Sequence, residues 1–265
     1  MTNRIVYRSS TLAYVKSGTG SKPLLLFHGF GQDHTAFQSW MPAISARYAV
    51  YSFDLFFHGG STWNEQTPLE MYEWKSILES FLQQEKIDEF DVGGFSLGGK
   101  FALATLQAFP KQVSRIILIA PDGIKTSFWY SLATYPVGAR ALFRSMIVHP
   151  SRLHRLARLL RTLRLVDAGL IRFAESQMDT EERRRRVYHA WVYFRHLRFD
   201  LDEIARLINQ HSISLTLVVG QHDKVIVPSQ MHRLLGKLEH YAFEIINSGH
   251  TALIQASASY LWSKE

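Results

Sequence analysis

Val92-Gly93-Gly94-Phe95-Ser96-Leu97-Gly98-Gly99-Lys100 is the stretch on which the fold turns. An apolar run from Phe90 enters it, and a helix-period run from Gly99 to Phe109 leaves it, so Ser96 stands where a strand gives way to a helix. A G-x-S-x-G turn is tight and strained, and glycines two before and two after the serine let the backbone bend without Cβ clashes. The Ser96 hydroxyl is then presented beyond the strand's carboxyl end, as a nucleophile elbow, with the next helix aiming its N-terminus there. The N–H of Leu97 is placed to stabilise an oxyanion. With glycine at about 7% of residues, such a pattern arises by chance on the order of once in ten chains, as a turn with an incidental serine. The strand before it and the helix after it lift it above chance.

Outward from the elbow, extended and helical signals alternate. Leu24 to Phe27, Ala49 to Phe53, Phe90 to Phe95, Arg115 to Ala120, Leu215 to Val219 and Ala242 to Ile246 are short apolar runs of the kind buried on both faces of a sheet. Helix-period stretches separate them: Leu69 to Gln84, Gly99 to Phe109, Pro228 to Leu235 and Thr251 to Trp262. The runs Ile5 to Tyr7 and Leu12 to Val15 predict an antiparallel hairpin at one edge. The expectation is an α/β fold: a mostly parallel twisted sheet of about eight strands, with helices on both faces. Between about Ile124 and Gln210 no strand is legible, and the stretch is too long for a loop. It is read as an inserted helical cap, or lid, at 124–210, leaving 1–123 and 211–265 as the core domain.

A serine hydroxyl needs a base to take its proton. His250, in Asn247-Ser248-Gly249-His250, follows the strand Ala242 to Ile246 and so falls on the same carboxyl-end face of the sheet as Ser96. Asp223, in Gly220-Gln221-His222-Asp223, lies just past the strand Leu215 to Val219 and offers a carboxylate to orient the imidazole. Taken alone, His250 is one of twelve histidines and Asp223 could serve merely as a turn cap. Three matches at three strand ends, in the order Ser, Asp, His, are harder to produce by accident. Asp122 also follows a strand and stays open as a rival acid. The second oxyanion donor is expected from His28-Gly29-Phe30-Gly31, with the N–H of Phe30 as the candidate and His28 holding the loop by hydrogen bonds.

On these residues the chain resembles the α/β-hydrolase fold superfamily, of the serine esterase and carbon–carbon hydrolase type with a helical cap. Asp54-Leu55-Phe56-Phe57-His58-Gly59-Gly60-Ser61 and Pro228 add to the likeness, which spans Leu24 to Ala120 and Leu215 to Leu261 but not the insertion. One departure is Phe57, where the family usually has glycine. The resemblance implies a catalytic triad of Ser96, Asp223 and His250, an oxyanion hole from Phe30 and Leu97, and acyl-enzyme chemistry on a carboxylic ester. Serine at the elbow argues against relatives that use aspartate there, the dehalogenases and epoxide hydrolases. Carbon–carbon cleavage, acyl transfer or perhydrolysis with the same residues stays open, as does a hydrolase-like protein that binds a ligand without catalysis.

Composition narrows the rest. The 265 residues are 46% hydrophobic and 20% charged, an ordinary globular balance that excludes disordered and collagen-like classes. With no Cys there is no thiol nucleophile and no Cys-based zinc site, and no HExxH or phosphate-binding glycine motif is present, so neither cofactor nor metal is expected. No apolar run approaches the ~18 residues of a transmembrane helix, and Met1 to Ser10 lacks the apolar stretch of a secretory signal; the expectation is a soluble cytoplasmic enzyme with a small-molecule ester substrate.

The formal charge of +7 is confined to the insertion. Thr126 to Gln210 carries 15 Arg, no Lys and eight Asp or Glu, whereas the remainder balances 15 basic against 15 acidic residues. From Ser151 to Leu165, arginine recurs at 152, 155, 158, 161 and 164, while Leu153, Leu156, Leu159, Leu160 and Leu163 share an arc of about 120°. Ser151 is the expected N-cap of this amphipathic helix. Three readings compete: a solvated arginine face over a leucine face that roofs a pocket, an electropositive surface for an acidic carrier protein or anionic substrate, and contact with an anionic lipid surface. Arg183 to Arg186, after Glu181-Glu182, reads as a helix start with i,i+4 pairing on a mostly solvated face. Trp191, Tyr193, Phe194 and Phe199 are expected to pack the cap. No nucleic-acid module is recognisable.

Overall fold

The computed structural model describes residues 2–125, 128–163, 175 and 177–262. Its chain forms two compact units, Met1–Lys125 with Leu197–Glu265, and Thr126–His196. The first unit is built on a single eight-stranded sheet: β1 (Thr2–Tyr7), β2 (Ser10–Ser17), β3 (Lys22–Phe27), β4 (Tyr48–Phe53), β5 (Phe90–Phe95), β6 (Val113–Ile119), β7 (Ser214–Gly220) and β8 (Ala242–Ile246), in the spatial order β1-β2-β4-β3-β5-β6-β7-β8. The hairpin β1–β2 is antiparallel and joins β4 antiparallel. Every other pairing is parallel. This is the expected α/β architecture.

Residue alternation along β3 shows how both faces of the sheet are covered. Leu24 and Leu26 join a core with Trp40, Ile117, Val218 and Trp262. Phe27 points the other way, its ring 5.5 Å from Trp74 and 6.3 Å from Phe101. After the short α1 (Met41–Ile44), those two rings belong to α2 (Met71–Glu85) and α3 (Leu97–Ala108), whereas Trp262 ends the helix Leu253–Trp262. A period-2 strand thus meets helices on each side. Helix α2 starts at Glu70, where Glu70 and Glu73 form a reciprocal capping box. The expected helix Pro228 to Leu235 is two short turns instead, Pro228–Gln230 and His232–Leu235.

The second unit is helical: α4 (Phe128–Thr134), α5 (Val137–Val148), α6 (Pro150–Thr162) and α7 (Glu181–Tyr193). The Tyr130 and Tyr135 hydroxyls donate to the carbonyls of Trp191 and Arg195, tying α4 to the end of α7. This unit is shorter than the insertion 124–210 read from sequence. The helix Leu201–Gln210 buries Ile204, Leu207 and Ile208 and belongs with the sheet. The charge contrast sharpens accordingly: 126–196 holds thirteen Arg against five acidic residues, a formal +8, and leaves the sheet unit at −1.

Helix α6 departs from its expected form in two ways. It starts at Pro150, with His149 rather than Ser151 at the N-cap, because proline's missing N–H and fixed φ suit the first helical position. Its leucines do not share one fate: Leu153 is buried, whereas Leu156, Leu159 and Leu163 are exposed. Arg164, Leu165 and the side chain of Leu160 lie outside the described residues.

Candidate active site

Strand β5 is the route by which the sequence reaches Ser96. All six of its residues are buried, and its last peptide is held by the N–H of Ser96 donating to the Ile119 carbonyl of β6 at 2.9 Å. At Ser96 itself the backbone takes φ 51° and ψ −115°, a left-handed conformation that costs an L-residue on the order of 1–3 kcal/mol. The flanking glycines make that turn fit. A Cβ at Gly94 would lie 2.2 Å from the Gly98 carbonyl oxygen, and one at Gly98 would lie 1.9 Å from the Phe27 carbonyl oxygen. The Ser96 carbonyl accepts the N–H groups of Gly99 at 2.9 Å and Asp122 at 2.8 Å, so the strained residue is fastened on both sides.

His250 comes from the turn after β8. Its Nε2 lies 3.0 Å from Ser96 Oγ and its Nδ1 lies 2.6 Å from Asp223 Oδ2. The Asp223 side chain is fully buried at the end of β7. Its other oxygen, Oδ1, accepts the N–H groups of Val225 at 2.8 Å and Ile226 at 2.9 Å. One carboxylate therefore both caps the following turn and meets the imidazole. The N–H of Gln221 donates to Ile246 and that of His222 to Ser248, which stitches the two loops together and sets the pair's separation. The Phe95 ring packs on His250 with centroids 5.0 Å apart.

The rival acid is elsewhere. Asp122 Oδ2 pairs with Lys100 Nζ at 3.0 Å, and its Oδ1 accepts the N–H of Gly123 at 2.7 Å. Lys100 is buried on the first turns of α3. Its pairing was not read from the sequence. The signal that carries it is the adjacency of parallel β5 and β6, which brings the segments after their carboxyl ends side by side.

The loop after β3 carries the second expected donor. The N–H groups of Phe30 and Leu97 have no acceptor among the described residues. Leu97 is the first residue of α3, where a helix leaves its N–H unsatisfied. Beneath Phe30, His28 is fully buried; its Nε2 accepts the N–H of Leu55 at 3.0 Å, so Nδ1 carries the proton and donates to the Gly29 carbonyl at 2.6 Å. Burial pushes the His28 imidazole down to about 4, which keeps it neutral. Asp54 holds the neighbouring turn, accepting from His34 N–H at 2.7 Å and Gly60 N–H at 2.7 Å. Phe57 in that turn has φ 67°, the reason glycine suits this position. Among the described residues no three His, Asp or Glu side chains converge as a metal site.

A hydroxyl, an imidazole and a buried carboxylate thus stand in hydrogen-bonding succession at three strand ends. Comparison with known proteins bears on the family. Residues 22–257 match the model of the alpha/beta hydrolase fold family.

The chain belongs to the α/β-hydrolase fold family.

Within the α/β-hydrolases it is 32% identical over 120 residues to a pimeloyl-[acyl-carrier protein] methyl ester esterase of Legionella pneumophila, covering 44% of this chain and 46% of that protein. It is 30% identical over 110 residues to a 2-hydroxy-6-oxo-2,4-heptadienoate hydrolase of Pseudomonas putida, covering 40% of each. The chain thus spans less than half the length of these curated relatives. A thermophilic esterase from Thermogutta terrifontis shares the fold at a TM-score of 0.70 and 18% identity, over 100% of this chain and 98% of that one. No helix among the described residues is long and apolar enough to cross a membrane.

Proposed function

We propose that this α/β-hydrolase is a serine hydrolase that cleaves a carboxylic ester through an acyl-enzyme. The observation that carries the reading is the line Ser96 Oγ, His250 Nε2 and Asp223 Oδ2, at 3.0 Å and 2.6 Å, with Ser96 on a strained elbow. Ser96 Oγ attacks the ester carbonyl carbon while its proton passes to His250 Nε2. The carbonyl oxygen becomes an oxyanion facing the N–H groups of Phe30 and Leu97. Asp223 holds the tautomer with Nδ1–H and stabilises the imidazolium. Collapse of the tetrahedral intermediate breaks the bond to the alkoxy oxygen, which leaves as alcohol with the proton from His250. Water then attacks the acyl-enzyme, giving its proton to His250, and Ser96 departs with that proton as the acid is released.

Likeness to the Legionella methyl ester esterase supports an ester as substrate, and likeness to the heptadienoate hydrolase keeps carbon–carbon cleavage as the second reading. The same three residues serve both, since each requires proton transfer at a carbonyl centre.

A fluorophosphonate probe tests the nucleophile. Folded protein is expected to label once, at Ser96, and Ser96→Ala to remain unlabelled; label retained in that variant overturns the reading. A screen of esters over acyl chain length, with a vinylogous diketone alongside, separates ester hydrolysis from carbon–carbon cleavage.

A further inference from the structure

The second unit, taken by itself, presents a surface that the proposed chemistry does not use. On α6, Leu153 and Ala157 are buried, and these define its inward side. At about 100° per residue, Leu156, Leu159 and Leu163 fall within an arc of about 60° on the outward side, with Arg152 among them and Arg155 at its border. Leu159 is 53% and Leu163 is 55% exposed. Helix α5 repeats the pattern: Met146 and Ile147 are buried, whereas Val137 at 73% and Val148 at 64% are exposed on either side of Arg144.

Among the described residues, carboxylates are scarce around this surface. From Gly123 to Val166 the sequence has no Asp or Glu. The described acidic residues of the unit lie later and are engaged there: Asp179 with Arg183, Glu181 with Arg185, Glu182 with Arg186, and Glu175 with Arg161. Arg144, Arg152, Arg155 and Arg158 have no carboxylate partner among the described residues.

We propose that the outward arcs of α5 and α6 dock the protein on an anionic lipid surface. Exposed leucines and valines interleaved with arginines on helices too short to span are the make-up of an interfacial surface. The thirteen residues of α6 extend about 20 Å, less than the ~30 Å hydrocarbon core. Arginine stems lie along acyl chains while the guanidinium groups meet phosphates. A second copy of the chain is the wrong occupant, because a self-complementary contact would press one acid-free basic arc against another. A polar acidic protein answers the arginines and leaves the leucines unexplained. The proposal is independent of the chemistry at Ser96, so it can fail while the hydrolase reading stands, and the reverse.

Co-sedimentation with vesicles tests it. The protein is expected to bind vesicles of phosphatidylcholine and phosphatidylglycerol in equal parts, and not phosphatidylcholine alone. Arg152→Gln/Arg155→Gln/Arg158→Gln should weaken partition by about a hundredfold, equivalent to about 3 kcal/mol, or ~1 kcal/mol for each arginine near the surface. Leu156→Gln/Leu159→Gln should weaken it as well. The substituted residues are exposed, so thermal midpoints should stay within about 2 °C of the parent; a variant that melts earlier is replaced by Arg155→Gln or Leu159→Gln alone. Absent binding to the mixed vesicles, or equal binding to neutral ones, overturns the proposal. So does unchanged binding by the leucine variant, which would assign the surface to an acidic protein. A dimer in solution that Leu159→Arg dissociates would assign it to a second copy.

Discussion

The backbone N–H of Asp122 donates to the carbonyl of Ser96 at 2.8 Å, while the Asp122 carboxylate turns away to Lys100. That divides two acids standing at neighbouring strand ends. Asp223 reaches His250, and Asp122 supports the elbow through its main chain, which no side-chain substitution removes. Asp223→Asn is expected to lower kcat by about 10⁴-fold, since an amide favours the wrong imidazole tautomer. Asp122→Asn should keep kcat within about tenfold and lower stability by about 1–3 kcal/mol, because the buried Lys100 loses the carboxylate that meets it at 3.0 Å. Steady-state kinetics and urea unfolding of both variants check this. The opposite ranking in kcat would move the orienting role to Asp122.

Phe57 takes φ 67° in the turn that Asp54 holds. Two effects oppose each other in any substitution there: relief of a left-handed backbone, and loss of packing by a half-buried ring. Phe57→Ala keeps the strain and loses the ring. Phe57→Gly loses both, so the glycine variant should be more stable than the alanine variant by about 1 kcal/mol. Paired denaturant titrations measure the difference, and equal stabilities would mean that the turn rearranges when the ring is removed.

Arg184 is buried on α7, donating from Nε to the Ile147 carbonyl at 2.8 Å and from Nη1 to the carbonyls of Met178 and Asp179, both at 3.1 Å. Arg184→Met leaves three acceptors without their donor and should destabilise the helical unit by about 3 kcal/mol. Its neighbour Arg185, exposed and paired with Glu181 at i,i+4, should tolerate the same change within about 0.5 kcal/mol. Limited proteolysis of the second unit is the sensitive readout, and similar cleavage rates for the two variants would contradict the distinction.

What was legible in the sequence follows from the range of the interactions. The strands around Ser96 are short apolar runs, and a parallel sheet puts their carboxyl ends on one side, so the sequence itself groups Ser96, Asp223 and His250. Arg184 could not be told from Arg183 or Arg185, because a run of four arginines has no period. Only the carbonyls at the end of α5 and before α7 select it. The leucine arc of α6 gave its amphipathicity but not which leucines are covered. Burial of Leu153 and exposure of Leu159 depend on what packs beside α6, which its own pattern does not encode. Periodicity alone places Leu201–Gln210 in the insertion, because it says nothing of the partner against which Ile204 and Ile208 are buried.

His28 links stability to pH in a way that can be isolated. Burial lowers its folded-state value to about 4, against 6.5 for the free side chain. Above about pH 6.5 the imidazole is neutral in both states and contributes no pH dependence. As pH falls below 6.5 the unfolded chain takes up the proton and the folded chain does not, so unfolding becomes more favourable. The loss grows until the folded value near 4 is reached, where it totals about 3 kcal/mol, and it levels off below that. His28→Gln removes this term while keeping a donor and an acceptor for Gly29 and Leu55. The variant is expected to be less stable than the parent at pH 7, where the fitted imidazole contacts are lost, and to close that gap as pH approaches 4. Urea unfolding of both proteins across this window measures it. A gap that stays constant would mean that His28 is protonated in the folded protein, and the tautomer assigned from Leu55 and Gly29 would then be wrong.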